Sequence, residues 1–138
     1  MILNKNNAYL INTPKVYIHD DVLLSLQLNR NKKTIVMDFQ RFGTEEKYTM
    51  SITNFIGLDI TACDYWFPSE RVLDFEYATN EDAQLIPKLQ SKWSDVPGYN
   101  GEVSYDNFIE LIFTFISGDV LRIACEKIEL INFESFFD

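Results

Sequence analysis

Two runs decide the fold of this chain: Val22-Leu-Leu-Ser-Leu-Gln-Leu-Asn29 and, after a polar loop, Thr34-Ile-Val-Met-Asp-Phe-Gln-Arg-Phe42. In both runs apolar residues occupy alternate positions, the pattern of a strand that buries one face. Two such strands joined by a short polar loop form a β-hairpin. The chain is therefore predicted to build an antiparallel sheet that begins at this hairpin.

The strand pattern continues towards the C-terminus. Further strands are predicted at residues 47–55, 57–63, 71–78, 107–116 and 120–130. Gly57 marks a bend between the first two of these, and the turn at residues 117–119 joins the last two into a second hairpin. Residues 107–116 are apolar on both faces, which is typical of a central strand.

One helix is predicted near residues 81–93. Its apolar side chains fall at helical spacing, at Leu85, Ile86, Leu89 and Trp93. Thr79 or Asn80 is the expected N-cap, whereas Pro87 predicts either a kink or a later start. The fold class is thus α+β, mainly antiparallel β-sheet built from hairpins, with one helix.

Length and composition indicate one domain spanning residues 1–138. The chain contains 46% hydrophobic and 24% charged residues, an ordinary globular composition. We find neither a secretory leader nor an apolar run long enough for a membrane span, and so predict a cytoplasmic protein without membrane contact. Cys63 and Cys125 lie in apolar or strand-like sequence, where free cysteines act as small hydrophobic residues.

The net charge of −9 is unevenly distributed. Residues 1–47 carry seven Lys/Arg and five Asp/Glu, whereas residues 48–138 carry five Lys/Arg and sixteen Asp/Glu. An acidic surface repels phosphate backbones, which argues against nucleic acid, and it accelerates encounter with a basic protein. The alternative is that the acidic charge serves solubility alone.

The sequence gives little support to catalysis. His19 is the only histidine, and it stands beside two aspartates without a spacing that would fix a metal site. The chain has five glycines and no phosphate-binding glycine motif. We therefore predict no enzyme activity, no metal and no cofactor.

A candidate binding site surrounds three consecutive aromatic residues of a loop, and acidic residues flank them. Its predicted members are Asp59, Asp64, Tyr65, Trp66, Phe67, Glu70, Asp74 and Glu76. Aromatic anchors ringed by charge of one sign suit a basic protein partner. The alternative is that the aromatic residues fold back and close the end of the sheet.

Three stretches carry a resemblance to a known group: His19-Asp-Asp-Val-Leu-Leu-Ser-Leu-Gln-Leu-Asn29, Cys63-Asp-Tyr-Trp-Phe-Pro-Ser69 and Phe113-Thr-Phe-Ile-Ser-Gly-Asp-Val-Leu-Arg-Ile-Ala-Cys-Glu126. In their order the chain resembles small bacterial immunity proteins of polymorphic-toxin systems. The resemblance implies an acidic intracellular protein that neutralises a toxin by direct binding, without a cofactor. It transfers no catalytic residues.

The sequence therefore predicts a non-catalytic interaction protein with a basic protein partner. The alternative function is a small-molecule or lipid-like ligand-binding domain that uses its aromatic residues to line a pocket inside a curved sheet. The aromatic tail at residues 131–137 leaves both a monomer and a homodimer open.

Overall fold

A computed structural model describes residues 1–61, 70–79, 81–100 and 106–134. The strands of the described residues are β1 (Ile2–Asn4), β2 (Val22–Asn29), β3 (Thr34–Gln40), β4 (Lys47–Ile60), β5 (Glu70–Tyr77), β6 (Ile109–Phe115) and β7 (Val120–Ile131). The helix α1 (Leu85–Trp93) lies between β5 and β6, and a single 3-10 turn covers Ala8–Leu10.

Six of these strands close into an antiparallel barrel. Hairpins join β2 to β3, β3 to β4 and β6 to β7, and β5 pairs with β6 across the connection that contains α1. The barrel closes where β4 pairs with β7 and β2 with β5. The first half of β7 pairs with β6, and β1 pairs with the second half on the same edge. The predicted class, mainly antiparallel β with one helix, is confirmed.

The interior of the barrel is filled by the alternating apolar residues that the sequence pattern selects. Ile35, Met37 and Phe39 of β3 are all fully buried. The ring of Phe113 stacks on Phe75, with centroids 4.5 Å apart, and on Phe39 at 6.3 Å. Each such side chain contributes about 1.5–3 kcal/mol through its burial, so this aromatic stack is a main source of barrel stability.

The long strand β4 changes its buried face twice. Asn54 adopts a positive φ of 53° and its side-chain amide donates to Glu126 Oε2 (2.8 Å), which switches the inward position from Ile52 to Phe55. A register shift between Phe55 and Gly57 switches it again. The sequence predicted two strands separated by a bend at Gly57, whereas the structure has one continuous strand with these irregularities.

The helix begins later than predicted, at Leu85 instead of residue 81. Pro87 consequently falls in the first turn, where its missing N–H removes no helical hydrogen bond. The prediction of Thr79 as N-cap is wrong, because Thr79 bonds to Asp82 in a preceding turn and Gln84 is the N-cap. Asn80 lies outside the described residues.

The helix packs against the outside of the barrel. Leu89 rests on Gly57 of β4, where an added Cβ would lie 2.5 Å from the Leu89 Cδ1 atom. Leu85 and Ile86 pack against Ala124 of β7. Among the described residues, no helix combines the length and the apolar character that a membrane span requires.

The C-terminal segment covers part of one end of the barrel. The Phe133 ring meets Tyr48 edge-on, with centroids 5.0 Å apart, and lies 4.4 Å from the guanidinium of Arg41. Residues 135–138 are outside the described part of the chain.

Candidate binding surface

Three of the predicted binding residues lie on the outer face of four neighbouring strands. Glu76 of β5 pairs with Ile112 of β6. Ile112 pairs in turn with Arg122 of β7, and Arg122 pairs with Asp59 of β4. Since adjacent strands lie about 4.8 Å apart, Asp59 and Glu76 stand on one row about 14 Å apart.

A second row lies next to the first. Asp74 of β5 pairs with Thr114 of β6, and Thr114 pairs with Val120 of β7. Beside Val120, Asp119 Oδ1 accepts a hydrogen bond from the Thr61 hydroxyl (3.0 Å). We call the resulting surface the acidic face. Its members are Asp59, Asp74, Glu76 and Asp119, together with Asp82, whose negative charge helps to raise the pKa of Glu76.

A cleft of about 280 Å³ opens within the acidic face. Its lining residues are Asp59, Thr61, Gln84, Val120 and Arg122. The Arg122 guanidinium donates to Glu110 Oε2 (2.6 Å), and Glu110 has no exposed surface. A buried carboxylate therefore holds the arginine of the cleft in place, and Asp59 is the acidic residue of the lining.

Glu110 also fixes the helix beside the cleft. Its Oε2 atom accepts from the Gln84 backbone N–H (3.0 Å), and its Oε1 atom accepts from the Ile86 N–H (2.8 Å). These N–H groups belong to the helix N-terminus and would otherwise have no partner in the helix. Glu110 therefore has a structural role, as the cap of α1 and the partner of Arg122.

The pKa values of two carboxyl groups on the acidic face are shifted in opposite directions. The pKa of Glu76 is raised, first by its hydrogen bond with Asp74, then by partial burial and by the charge of Asp74. The pKa of Asp82 is lowered by hydrogen bonds from the hydroxyl and the N–H of Thr79. The carboxylate of Asp74 therefore stands close enough to act directly on Glu76.

The other predicted site residues are placed differently. Glu70 is only 5% exposed, and its Oε1 atom accepts from the Ser117 N–H (3.2 Å), so it anchors the β6–β7 turn instead of facing a partner. The remaining four predicted residues, Asp64, Tyr65, Trp66 and Phe67, lie outside the described residues.

His19 and Cys125 are the histidine and the cysteine of the described residues, and Cys63 lies outside them. His19 Nδ1 lies 3.0 Å from Asp20, and its ring stacks on Tyr17 with centroids 5.8 Å apart. Cys125 is fully buried, and burial raises the pKa of its thiol, which disfavours a reactive thiolate. Within the described residues, no group of three or more His, Cys, Asp or Glu could hold a metal ion.

Sequence reasoning missed Asp82, Asp119 and Arg122. The signal for Arg122 was its position within the apolar first half of β7, residues 120–125, and Glu110 stands out in β6 in the same way. A charged residue in such a run needs a partner if it is buried. Asp119 and Asp82 carry no comparable signal, because they lie in turns where aspartate is common.

Comparison with solved structures shows a likeness in fold. A crystal structure of an uncharacterized protein from Neisseria gonorrhoeae is similar, with a TM-score of 0.52 and 13% sequence identity; the match covers 81% of this chain and 90% of that chain. At this identity the likeness shows the fold alone. No protein-family model and no curated protein matches the chain.

Proposed function

We propose that the protein is a non-catalytic interaction protein that binds a basic protein partner through the acidic face. The observation that carries this proposal is the placement of Asp59, Asp74 and Glu76 on adjacent rows of one outer face of the barrel. A lysine or arginine side chain of the partner that docks on β5 would meet the neighbouring carboxylates of Asp74 and Glu76.

The Asp74–Glu76 pair supports the proposal energetically. Among the described residues, no lysine or arginine forms an ion pair with either carboxyl group. Like charges held side by side on a strand destabilise the free protein. A cationic partner relieves this repulsion. The arrangement that lowers the stability of the free protein therefore favours the complex.

Toxin neutralisation is the specific form of this function that the sequence resemblance implies. An acidic face suits a toxin with a basic surface, because opposite potentials steer encounter and raise the association rate. The test is co-expression with the product of the neighbouring gene. The proposal expects growth to be rescued by the wild-type chain and not by a chain with a neutralised acidic face.

The experiment for the binding surface compares three baits in a pull-down from the source organism. They are the wild type, Asp74→Asn/Glu76→Gln, and the control Glu45→Gln/Glu46→Gln, whose exposed acids lie in the β3–β4 turn. Each double variant removes two negative charges. We expect a basic protein that the wild type and the control retain at low salt and that the Asp74/Glu76 variant loses.

The same partner should elute from the wild-type bait as salt is raised, because exposed charge pairs are screened beyond about 10 Å at 0.1 M ionic strength. Equal retention by all three baits would contradict the assignment of the acidic face. Retention that is indifferent to salt would contradict the proposed electrostatic mode.

A further inference from the structure

A groove separate from the acidic cleft runs between α1 and β4. Its volume is about 530 Å³. The strand contributes Ile56, Gly57 and Leu58 to its lining. The helix and the turn after it contribute Leu85, Lys88, Leu89, Lys92, Trp93 and Val96. The groove therefore has an apolar lining and two lysines.

The helical residues of the groove lie on one stripe, at spacings of three and four residues. From Leu85 to Trp93 this stripe is about 12 Å long at the helical rise of 1.5 Å per residue. Gly57 lets Leu89 lie directly on the strand backbone, which sets the floor of the groove. The length and the floor together define an elongated trough.

Part of this apolar lining is exposed to solvent. Trp93 is 43% exposed and Val96 is 45% exposed. Trp93 also contacts the Tyr99 ring at 6.3 Å, which limits the positions of the indole. A large aromatic side chain held at the edge of an apolar trough is what a site for an apolar ligand requires.

The two lysines give the groove the opposite charge to most of the surface. Residues 48–138 carry sixteen acidic and five basic residues, and Lys88 and Lys92 are two of those five. They lie one helical turn apart on the side of the trough. Lys88 Nζ is 3.9 Å from Asp59 and is 70% exposed, and no ion pair within the described residues involves Lys92. The groove therefore complements an anion.

We propose that this groove binds a single-chain amphiphile with a carboxylate head, a class of ligand represented by long-chain fatty acids. The hydrocarbon tail lies along Leu85, Leu89 and the β4 side of the trough. The carboxylate lies between the ammonium groups of Lys88 and Lys92.

The size of the groove favours a small ligand over a protein segment. Its volume falls within the range of about 300–1,000 Å³ that small-molecule sites occupy. A stable protein interface uses about 20–30 residues on each side, more than this lining provides. The groove meets the acidic face at the Lys88–Asp59 ion pair. The two proposals use different ligands and different variants, so failure of either leaves the other standing.

Dodecanoate is the probe for this proposal, and calorimetry on the wild-type chain gives its affinity. The chain has two tryptophans, so Trp66→Phe leaves Trp93 as the single fluorescent reporter in the groove. We expect saturable binding and a blue shift of the Trp93 emission, since the ligand replaces water around the indole. Dodecanol and dodecyltrimethylammonium, which share the tail, should each bind at least about tenfold more weakly.

The variant Lys88→Gln/Lys92→Gln tests the head-group contact against Lys32→Gln/Lys47→Gln, which removes two lysines elsewhere. We expect the first to weaken dodecanoate binding about tenfold without changing dodecanol binding, and the second to leave both unchanged. Equal affinities for the three probes, or an equal effect of both variants, would overturn the proposal. So would an acidic amphipathic peptide that shifts Trp93 emission where dodecanoate does not, because the occupant would then be a protein segment.

Discussion

At the scale of single residues, Asp21 is the centre of a buried polar network. It is 1% exposed; its Oδ2 accepts from the Tyr48 hydroxyl (2.7 Å) and its Oδ1 from the Phe42 N–H (2.9 Å). The Arg41 guanidinium lies 3.5 Å away and also donates to the carbonyl oxygens of Tyr17 and Glu134. This network ties the turn before β2 to β3, β4 and the C-terminal segment.

Tyr48→Phe tests this network. The change keeps the ring and removes one hydrogen bond to a buried carboxylate. We therefore expect the free energy of unfolding, measured in urea, to fall by about 1–3 kcal/mol. Tyr9→Phe is the matched control, because Tyr9 is exposed and should lose little. Equal effects of the two changes would mean that the hydroxyl of Tyr48 contributes nothing to stability.

The same hydroxyl predicts a pH dependence. Burial, and next the neighbouring charge of Asp21, raise the pKa of Tyr48 well above the usual tyrosine value. The folded state therefore keeps its proton where the unfolded state loses it, and this stabilisation is complete below about pH 10 and lost as the pH rises further. The free energy of unfolding should be measured between about pH 9 and 11, which brackets the ordinary tyrosine pKa of about 10. It should fall more steeply with pH for the wild type than for Tyr48→Phe.

Glu76→Gln tests the like-charge pair of the acidic face. Because the folded state raises the pKa of Glu76, the native protein binds the extra proton and loses stability as the pH rises through that value. Glutamine carries no charge and is not repelled by Asp74. At neutral pH the variant should therefore be more stable than the wild type by a few tenths of a kcal/mol, a small effect because the site is exposed and screened. The gain should vanish below about pH 4, where carboxyl groups are protonated.

Glu45→Gln is the control for that measurement and should show no such pH-dependent gain. A variant at position 76 that is less stable than wild type at neutral pH would contradict the proposed repulsion.

The contacts of single residues were the least predictable feature from sequence. The burial of Asp21 depends on Arg41 and Tyr48, which lie 20 and 27 positions later in the sequence.

At the scale of elements, strands were easier to predict than the helix boundary. Alternation reports directly which face of a strand is buried, and it located β2, β3 and both hairpins. The start of α1 depends instead on Glu110, which reaches Gln84 and Ile86 from β6. A cap supplied from a distant strand leaves no local signal near residue 84.

Glu110→Ala is expected to destabilise the protein strongly. It removes the cap of α1 and leaves the Arg122 guanidinium without its partner, and breaking such a buried pair costs about 3–5 kcal/mol. Urea denaturation gives the size of the loss, with the exposed Glu129→Ala on β7 as the control. Hydrogen exchange should show the largest loss of protection in α1; uniform loss across the strands would contradict the capping role.

At the scale of the whole molecule, the sequence predicted the sheet and not its closure. Alternation shows which faces are buried but not which strand edges meet, so the β4–β7 and β2–β5 pairings had no signal. The candidate site shares this limit. Asp59 and Glu76 were grouped because they flank the same aromatic loop, whereas the structure brings them together through four adjacent strands. Glu70 is nearer to that loop in sequence than Glu76, but it is buried and accepts a hydrogen bond from the Ser117 N–H.

The two strand pairings that close the barrel differ in length. Strands β2 and β5 pair only at Val22–Arg71 and Leu23–Glu70, whereas β4 and β7 pair from Thr49 to Ile60. Beyond the short β2–β5 ladder, Asp20 N–H donates to the Val72 carbonyl oxygen (2.7 Å) and Val72 N–H donates to that of Asp21 (2.9 Å). Arg71 adds a hydrogen bond to the Asp20 carboxylate (2.7 Å).

This arrangement predicts that the barrel opens first between β2 and β5. Local opening starts where few buried contacts hold the backbone, so native-state hydrogen exchange should be faster at Val72 than at the amides between β4 and β7. Arg71→Ala should accelerate exchange at Val72 severalfold and leave the β4–β7 amides almost unchanged, with Arg30→Ala in the exposed β2–β3 loop as the control. If Arg71→Ala raises exchange equally in both places, the barrel opens as one cooperative unit and the short ladder is not its weak point.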